Sequence, residues 1–300
     1  MTSNIKITFL GTSGAIPTAQ RNHTSILLTC NEENILVDCG EGTQRQFRKA
    51  RLNPCKLTRL LITHWHGDHI LGIPGLLQTL AFSGYNKTLF IYGPKGTREF
   101  MKNLLNTFIF KGKISLEIKE VSGKFFETDD FYLEAKSVPH GVPCNAYVFV
   151  RKGKRRIDKK KLKKSKLPSG PLLKKLNEGK DIAYQGKKYL AKNLTFKEED
   201  KKISFVFDTS FDKKVVSFVK NSDLLICEST FNSSMEDIAK EYNHLTSSQA
   251  AEIAKKSKSK KLILTHVSQR NGPDYSKLLK EAKNIFKNSS LANDLDKIEI

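Results

Sequence analysis

The sequence predicts an α/β fold, a four-layer αβ/βα sandwich in which two mixed β-sheets are faced by helices on both outer sides. Three observations carry this expectation. Short strand-like runs alternate with helical stretches through most of the 300 residues. The first four of these runs follow one another too closely for the long crossover helices of a purely parallel sheet, so hairpins must open the fold. The alternation then occurs twice, in two α/β halves separated by a basic insertion, and no repeat at a fixed period is visible.

The strands of the first half read at residues 5–11 (IKITFLG), 25–30 (SILLTC), 34–40 (NILVDCG) and 59–64 (RLLITH). Helical stretches follow at 42–51, 70–82 and 96–108, and strands return at LFIY, ISLEI, FYLEA and NAYVFV. After Val150 apolar residues become sparse, and Pro168, Gly170 and Pro171 interrupt any long helix, leaving PLLKKLNEG as one short helical piece. Core-like strands resume at 202–210 and 223–230, with helices at 212–221 and 246–257, the latter capped by Thr246 or Ser247. KLILTH at 261–266, a helix near 275–288 and a final strand DKIEI close the chain. The expectation is a single domain over 1–300 with an inserted arm at 151–190.

With 38% hydrophobic residues the chain can bury a sizeable core, which excludes a wholly disordered basic polymer. Its formal charge of +21 is unevenly spread: residues 151–190 hold 16 Lys or Arg against 3 Asp or Glu, a net +13, leaving +8 for everything else. The first thirty residues lack the basic start and apolar run of a secretory signal, and no apolar run approaches the ~20 residues of a membrane span, so the sequence reads as a soluble, cytoplasmic protein with no membrane partner. Cys30, Cys39, Cys55, Cys144 and Cys227 are odd in number, scattered and outside any CxxC pair, which argues against a disulfide framework and against a thiolate zinc site.

A metal would therefore be held by imidazole and carboxylate. Three of the seven His fall within six residues, in ITHWHGDHILG, giving His64, His66, Asp68 and His69 at the carboxyl end of a buried strand. Crowding so many ionisable groups on one loop brings no structural gain, so metal binding is the expected reason. A second cation needs distant donors, for which His140, Asp208 and His266 are candidates, each just after a strand and beside small or turn-forming residues. These donor types suit Zn²⁺, and Mn²⁺, Fe²⁺ and Co²⁺ are not excluded by them. A lone His beside a strand is more often structural, and the polar-loop residue His23 is read that way.

The HxHGDH cluster resembles the metal-binding motif of the metallo-β-lactamase superfamily. Within it the chain is similar to the tRNase Z family of tRNA 3′ processing endoribonucleases, through FLGTSGAIPTAQRNHTS, VDCGEGTQRQ, ITHWHGDHILGIPGLL, VPHG, FDTS, CESTF, HLTSSQAAEIA and LTHVSQR, all in order. The resemblance implies the metallo-β-lactamase sandwich with a basic inserted exosite arm. It also implies two Zn²⁺ per subunit, one held by His64, His66 and His140, the other by Asp68, His69 and His266, with Asp208 bridging. Two such cations about 3.5 to 4 Å apart activate water and neutralise charge on a scissile phosphate, while Asp68 also accepts a hydrogen bond from the attacking oxygen. It further implies that His244, paired with Glu228, protonates the departing ribose oxygen. Asp38 is expected to support a ligand imidazole or loop groups instead of binding metal.

The implied substrate is precursor tRNA, cut after the discriminator nucleotide to leave a tRNA 3′ hydroxyl and a trailer 5′ phosphate, and the implied assembly is a homodimer. The insertion resembles an arm that grips tRNA away from the cut, with Lys159, Lys160, Lys161, Lys163 and Lys164 as leading contacts and Ser169, Gly170, Pro171 and Leu172 as its GP-containing element; such backbone contacts give salt-dependent, shape-directed affinity. Tyr184 and Tyr189 are too few for extensive base stacking. Arg21 and Asn22 lie in PTAQRN, which resembles the family's PxKxRN element near the tRNA 3′ end, and both are expected to meet RNA; Ala19 stands at the Lys position and removes a possible phosphate contact. Two other functions compete. A superfamily hydrolase of small phosphodiesters, thioesters or lactams shares the metals without needing the arm, and a noncatalytic RNA-binding protein would not need every ligand and the acid to be present.

Overall fold

The computed structural model describes residues 4–109, 114–165, 167–168, 170–272 and 274–300. Two seven-stranded sheets pack face to face. The first runs in the order Lys297–Glu299, Ile5–Gly11, Ser25–Cys30, Glu33–Val37, Arg59–Leu61, Thr88–Gly93 and Ser115–Glu120. Its early pairs are antiparallel hairpins and the last four strands are parallel, so the sheet is mixed. The second runs Ser289–Leu291, Leu262–Thr265, Leu224–Glu228, Lys201–Val206, Cys144–Arg151, Phe131–Val138 and Gly123–Glu127, with its first four strands parallel. The closing segment pairs with the first strand, Ile7 opposite Ile298.

Three apolar cores make the four layers. Ile7, Phe9, Ile26 and Leu28 of the first sheet meet Leu133, Phe149, Phe205 and Ile226 of the second in the central core. The other face of the first sheet, through Leu27, Leu36 and Leu60, packs against Phe47, Leu76, Leu77 and Met101 of the helices Thr43–Lys49, Ile73–Phe82 and Thr97–Thr107. The outer face of the second sheet, through Leu225, Cys227 and Leu264, meets Ala250, Ile253 and Ala282 of the helices Ser247–Lys256 and Ser276–Ile285. Strands buried on both faces lose alternation and read as continuous apolar runs, which is why LLIC at 224–227 is uniformly buried. Thr246 is the cap of the helix at 247–256, in a reciprocal pair with Gln249.

The insertion is folded. The helix Lys159–Ser165 starts where Asp158 Oδ1 accepts the N–H groups of Lys160 and Lys161, and Leu172–Asn177 forms the short helix expected there. Leu167, Leu176, Ile182, Ala191 and Leu194 build a small separate core, against which Tyr184 and Tyr189 pack. Its root is a two-stranded ribbon of Arg155–Ile157 and Thr195–Lys197, so the folded insertion continues past residue 190.

The geometry that matters for function is at one edge of the sandwich. The strands Glu33–Val37, Arg59–Leu61, Phe131–Val138, Lys201–Val206, Leu224–Glu228 and Leu262–Thr265 all deliver their carboxyl ends there. The sheets are tied at this edge, where Asn145 donates its backbone N–H to Thr63 O at 2.9 Å and the Tyr147 hydroxyl bonds Ile62 O at 2.8 Å. Among the described residues no helix is long and apolar enough to cross a membrane.

Candidate metal centre

The strand Arg59–Leu61 runs into a loop that places His64 inward and His66 at the start of the four-residue helical turn Gly67–Ile70, which carries Asp68 and His69. Gly72 is needed beneath this turn, since a Cβ there would stand 2.1 Å from Gly40 O. His140, Asp208 and His266 arrive from the second sheet. Two donor groups result, His64, His66, His140 and Asp208 in one and Asp68, His69, Asp208 and His266 in the other, with the donor atoms of each within 4.8 Å of one another. Asp208 belongs to both: its Oδ2 is 3.5, 3.4 and 3.6 Å from Nε2 of His64, His69 and His140, and its Oδ1 is 3.1 Å from His266 Nε2. Asp68 Oδ2 lies 3.3 Å from His69 Nε2 and 3.4 Å from His266 Nε2.

The donor chemistry fits divalent cations. His64 Nε2 and Asp208 Oδ1 are buried without a hydrogen-bond partner among the described residues. His69 Nε2 faces His266 Nε2 at 3.1 Å, and His140 Nε2 faces His66 Nδ1 at 3.2 Å, so imidazole nitrogens able to donate to a metal converge in pairs. Electrostatics says the same. Burial alone would raise the Asp208 carboxyl, but His266, His69, His244 and His64 hold it well below the usual carboxylate range. Burial is likewise overcome at Asp68, where His69 and His266 drive the carboxyl far down. His64, desolvated and beside His69, falls well below the ordinary imidazole range, whereas His69 rises well above it because Asp208, Asp68 and Asp38 outweigh its burial. A buried cluster of carboxylates that attracts a proton onto one imidazole is one that divalent cations would neutralise.

Neighbouring groups orient these donors. Asp38, fully buried, accepts the Thr63 N–H at 2.7 Å and the Thr63 hydroxyl at 2.8 Å, and its Oδ2 receives the His69 Nδ1–H at 2.7 Å, leaving His69 Nε2 for the centre. His140 Nδ1 donates to Asn243 O at 3.2 Å. Asp38, Asp208 and His266 have φ of +56°, +42° and +56°. Non-glycine residues rarely adopt this region, and each such residue costs of order 1 to 3 kcal/mol, retained where surrounding contacts impose it. Here the imposing bonds include Asp38 N to Leu61 O at 2.9 Å and Val267 N to Thr12 O at 3.0 Å.

Glu228 closes the core strand Leu224–Glu228 with no solvent exposure; its Oε1 accepts the Thr209 N–H at 2.7 Å and its Oε2 faces His244 Nδ1 at 3.0 Å. Burial would lower the His244 imidazole, but Glu228 and then Asp208 raise it to about 9. His244 Nε2 stands 4.0 Å from Asp208 Oδ2, so the pair adjoins the donor cluster. A cavity of about 180 Å³ opens above both, lined by Ala15, Ile16, His66, Asp68, Phe231 and Arg270 among others.

Thr63, Asn243 and Thr230 are not singled out by the sequence; Thr63 and Thr230 lie within the ITHWHGDHILGIPGLL and CESTF segments, and Asn243 only adjoins His244. Arg21 and Asn22 both make bonds within the protein. Arg21 is 5% exposed, with its guanidinium donating to the Thr12 hydroxyl, Ala292 O and Asn293 Oδ1 at 2.6, 2.7 and 2.8 Å. Asn22 gives its backbone N–H to Asp294 Oδ2 and its side-chain amide to Glu41 O. Arg21 thus holds the loop in place, since burying a guanidinium requires that its donors be satisfied inside, and Asn22 is half-buried beside it. His23 is buried, with Nε2 3.2 Å from Ala15 O. Lys159, Lys160, Lys161, Lys163 and Lys164 are all exposed on the insertion's first helix, as are Gly170 and Pro171, while Ser169 lies outside the described residues.

Comparison with known proteins places this geometry. The family model for the anti-Pycsar protein Apyc1 matches residues 5–125. The chain is 36% identical over 302 residues to ribonuclease Z of Bacillus cereus (strain G9842), covering 97% of this chain and 98% of that one. It is 37% identical over 301 residues to ribonuclease Z of Methanothermobacter thermautotrophicus, covering 99% and 97%. Among solved structures, human tRNase Z, short form, superposes with a TM-score of 0.71 at 26% identity over 98% of each chain. The metallo-β-lactamase fold protein YhfI from Bacillus subtilis gives 0.72 at 22% identity over 99% and 100%, a likeness of fold.

Proposed function

The chain belongs to the ribonuclease Z family, and from that premise we propose that it is a zinc-dependent endoribonuclease that removes the 3′ trailer from precursor tRNA, cutting after the discriminator nucleotide. The observation that carries the reading is a cavity whose wall takes His66 from one donor group, Asp68 and His266 from the other, Asp208 from both, and His244, which Glu228 backs from the interior.

In this reading His64, His66 and His140 hold one cation, Asp68, His69 and His266 the other, and Asp208 serves both. When bound, the cations supply an activated water and offset charge at the scissile phosphate. Asp68, on the cavity wall, accepts a hydrogen bond from the attacking water and aligns it with phosphorus. The water oxygen bonds to phosphorus as the bond to the ribose 3′ oxygen breaks. His244, kept protonated by Glu228, passes its Nε2 proton to that departing oxygen, leaving a 3′ hydroxyl on the tRNA and a 5′ phosphate on the trailer. No covalent bond to the protein is needed. Asp38 fixes the His69 tautomer through its 2.7 Å contact with Nδ1.

The insertion is the arm that grips tRNA away from the cut, through the exposed face of Lys159–Ser165, and a homodimer presents the arm of one subunit to RNA cleaved by the other. The test is incubation of the zinc-loaded protein with a precursor tRNA carrying a 3′ trailer, with both product ends mapped. Cleavage after the discriminator with a 3′ hydroxyl is the expected result. Failure across zinc, manganese and salt conditions, alongside efficient turnover of bis(p-nitrophenyl) phosphate, overturns the reading in favour of small-substrate hydrolysis.

A further inference from the structure

Thr230 sits two residues beyond the strand Leu224–Glu228 and is 5% exposed. Its hydroxyl meets three groups: Glu228 Oε2 at 2.5 Å, His266 Nδ1 at 3.0 Å and His244 Nδ1 at 3.3 Å. A hydroxyl has one proton to give and lone pairs to receive. The Glu228 carboxylate only accepts, so it takes the Thr230 proton. His266 Nδ1 must then be the donor to Thr230 Oγ1. This fixes the His266 tautomer, leaving Nε2 as a lone pair directed at the centre, 3.1 Å from Asp208 Oδ1 and 3.4 Å from Asp68 Oδ2. The same Oε2 receives His244 Nδ1–H, whose contact at 3.0 Å is shorter than its contact with Thr230. One hydroxyl thus spans a metal-donor imidazole and the carboxylate of the acid pair.

The backbone around Thr230 is clamped to the segment that carries His266. Thr230 O accepts the Ser268 N–H at 3.1 Å and the Asn271 amide at 2.9 Å, while Asn271 Oδ1 accepts the Asn232 N–H at 3.0 Å. The backbone of Thr230 therefore cannot move away from the His266 segment without breaking this clamp.

We propose that Thr230 is the positioning residue that couples one of the two cation sites to the proton donor, setting the tautomer of His266 and the orientation of Glu228 at once. The proposal rests on the roles given above to His266, Glu228 and His244. Thr230→Val keeps the shape and deletes the hydroxyl; Thr230→Ser keeps the hydroxyl. Zinc affinity is measured by chelator competition, and kcat and KM on precursor tRNA and on bis(p-nitrophenyl) phosphate at saturating zinc.

The expected result for Val is one zinc ion weakened about 10- to 100-fold with the other unchanged, the usual effect of removing the partner of a ligating imidazole. At saturating zinc its kcat falls about 10-fold or more while KM changes less than about 2-fold, the signature of a missing transition-state interaction. Ser restores both properties. Parental zinc affinity in the Val variant, loss of both zinc ions together, or a Ser variant as impaired as Val would each overturn the proposal. If the parent protein turns over the small phosphodiester but not precursor tRNA, the tRNA reading fails while the single-site zinc measurement still decides the role of Thr230.

Discussion

His244 Nδ1 stands 3.0 Å from Oε2 of Glu228, a carboxylate with no solvent exposure at the end of a core strand. Desolvation alone would lower the His244 imidazole, but Glu228 and then Asp208 raise it to about 9. The protonated form dominates below that value and is lost as pH rises through it.

His244→Ala is expected to lower kcat on precursor tRNA by about 10²- to 10⁴-fold with zinc content unchanged. Glu228→Gln removes the anion that sustains the imidazolium, so the basic limb of the kcat profile moves to lower pH. Metal analysis together with rates over about pH 6 to 10 reads both effects. A basic limb unmoved by Glu228→Gln would separate Glu228 from the proton donor.

Asp208 is within 3.6 Å of an imidazole nitrogen from each of His64, His69, His140 and His266. Asp208→Ala is expected to cut zinc content to about half of the parental value or less, because the residue serves both donor groups. Elemental analysis after gel filtration measures it.

Asp38 acts one step back, on His69 Nδ1. Asp38→Asn is expected to weaken zinc binding about 10- to 100-fold without abolishing it. Titration against a calibrated chelator distinguishes this from the larger loss at Asp208.

Gly14 lies against the His266 ring, and a Cβ there would stand 2.9 Å from Cε1. The Gly14 N–H also bonds Val267 O at 3.2 Å, so the loop cannot easily retreat. Gly14→Ala is expected to displace the ring and lower kcat about 10-fold, since catalytic geometry tolerates little displacement. Steady-state rates at saturating zinc, beside a melting curve, check it.

Replacing Lys159, Lys160, Lys161, Lys163 and Lys164 by Ala is expected to raise KM for precursor tRNA while leaving bis(p-nitrophenyl) phosphate hydrolysis unaffected. The dependence of log affinity on log salt becomes shallower by about one unit for each phosphate that is no longer neutralised by a lysine. Binding measured across a salt series reads that slope.

The core strands were legible because a run such as NILV or LLIC, bounded by Gly, Asp or His, is what a doubly covered strand looks like. The strand Gly123–Glu127 was not, since GKFFE is only half-buried at a sheet edge and shows no sustained apolar run. The helix Lys159–Ser165 was hidden by its lysines, with Leu162 as its single apolar residue and the inward-facing core supplied from elsewhere in the insertion. The burial of Arg21 was not legible for a related reason: its partners Ala292 and Asn293 lie 271 and 272 residues away.

From the sequence alone came the order of elements, the inventory of imidazole and carboxylate donors and the location of the excess charge. All three depend on residues near one another in the chain, where side-chain periodicity and turn chemistry act. Only the tertiary structure decided which donors stand together, which tautomers they hold and which cation turns inward. His69 and His266 face each other at 3.1 Å across 197 residues. The two rings come from different sheets, so their approach follows from sheet packing, which leaves no local mark in the sequence.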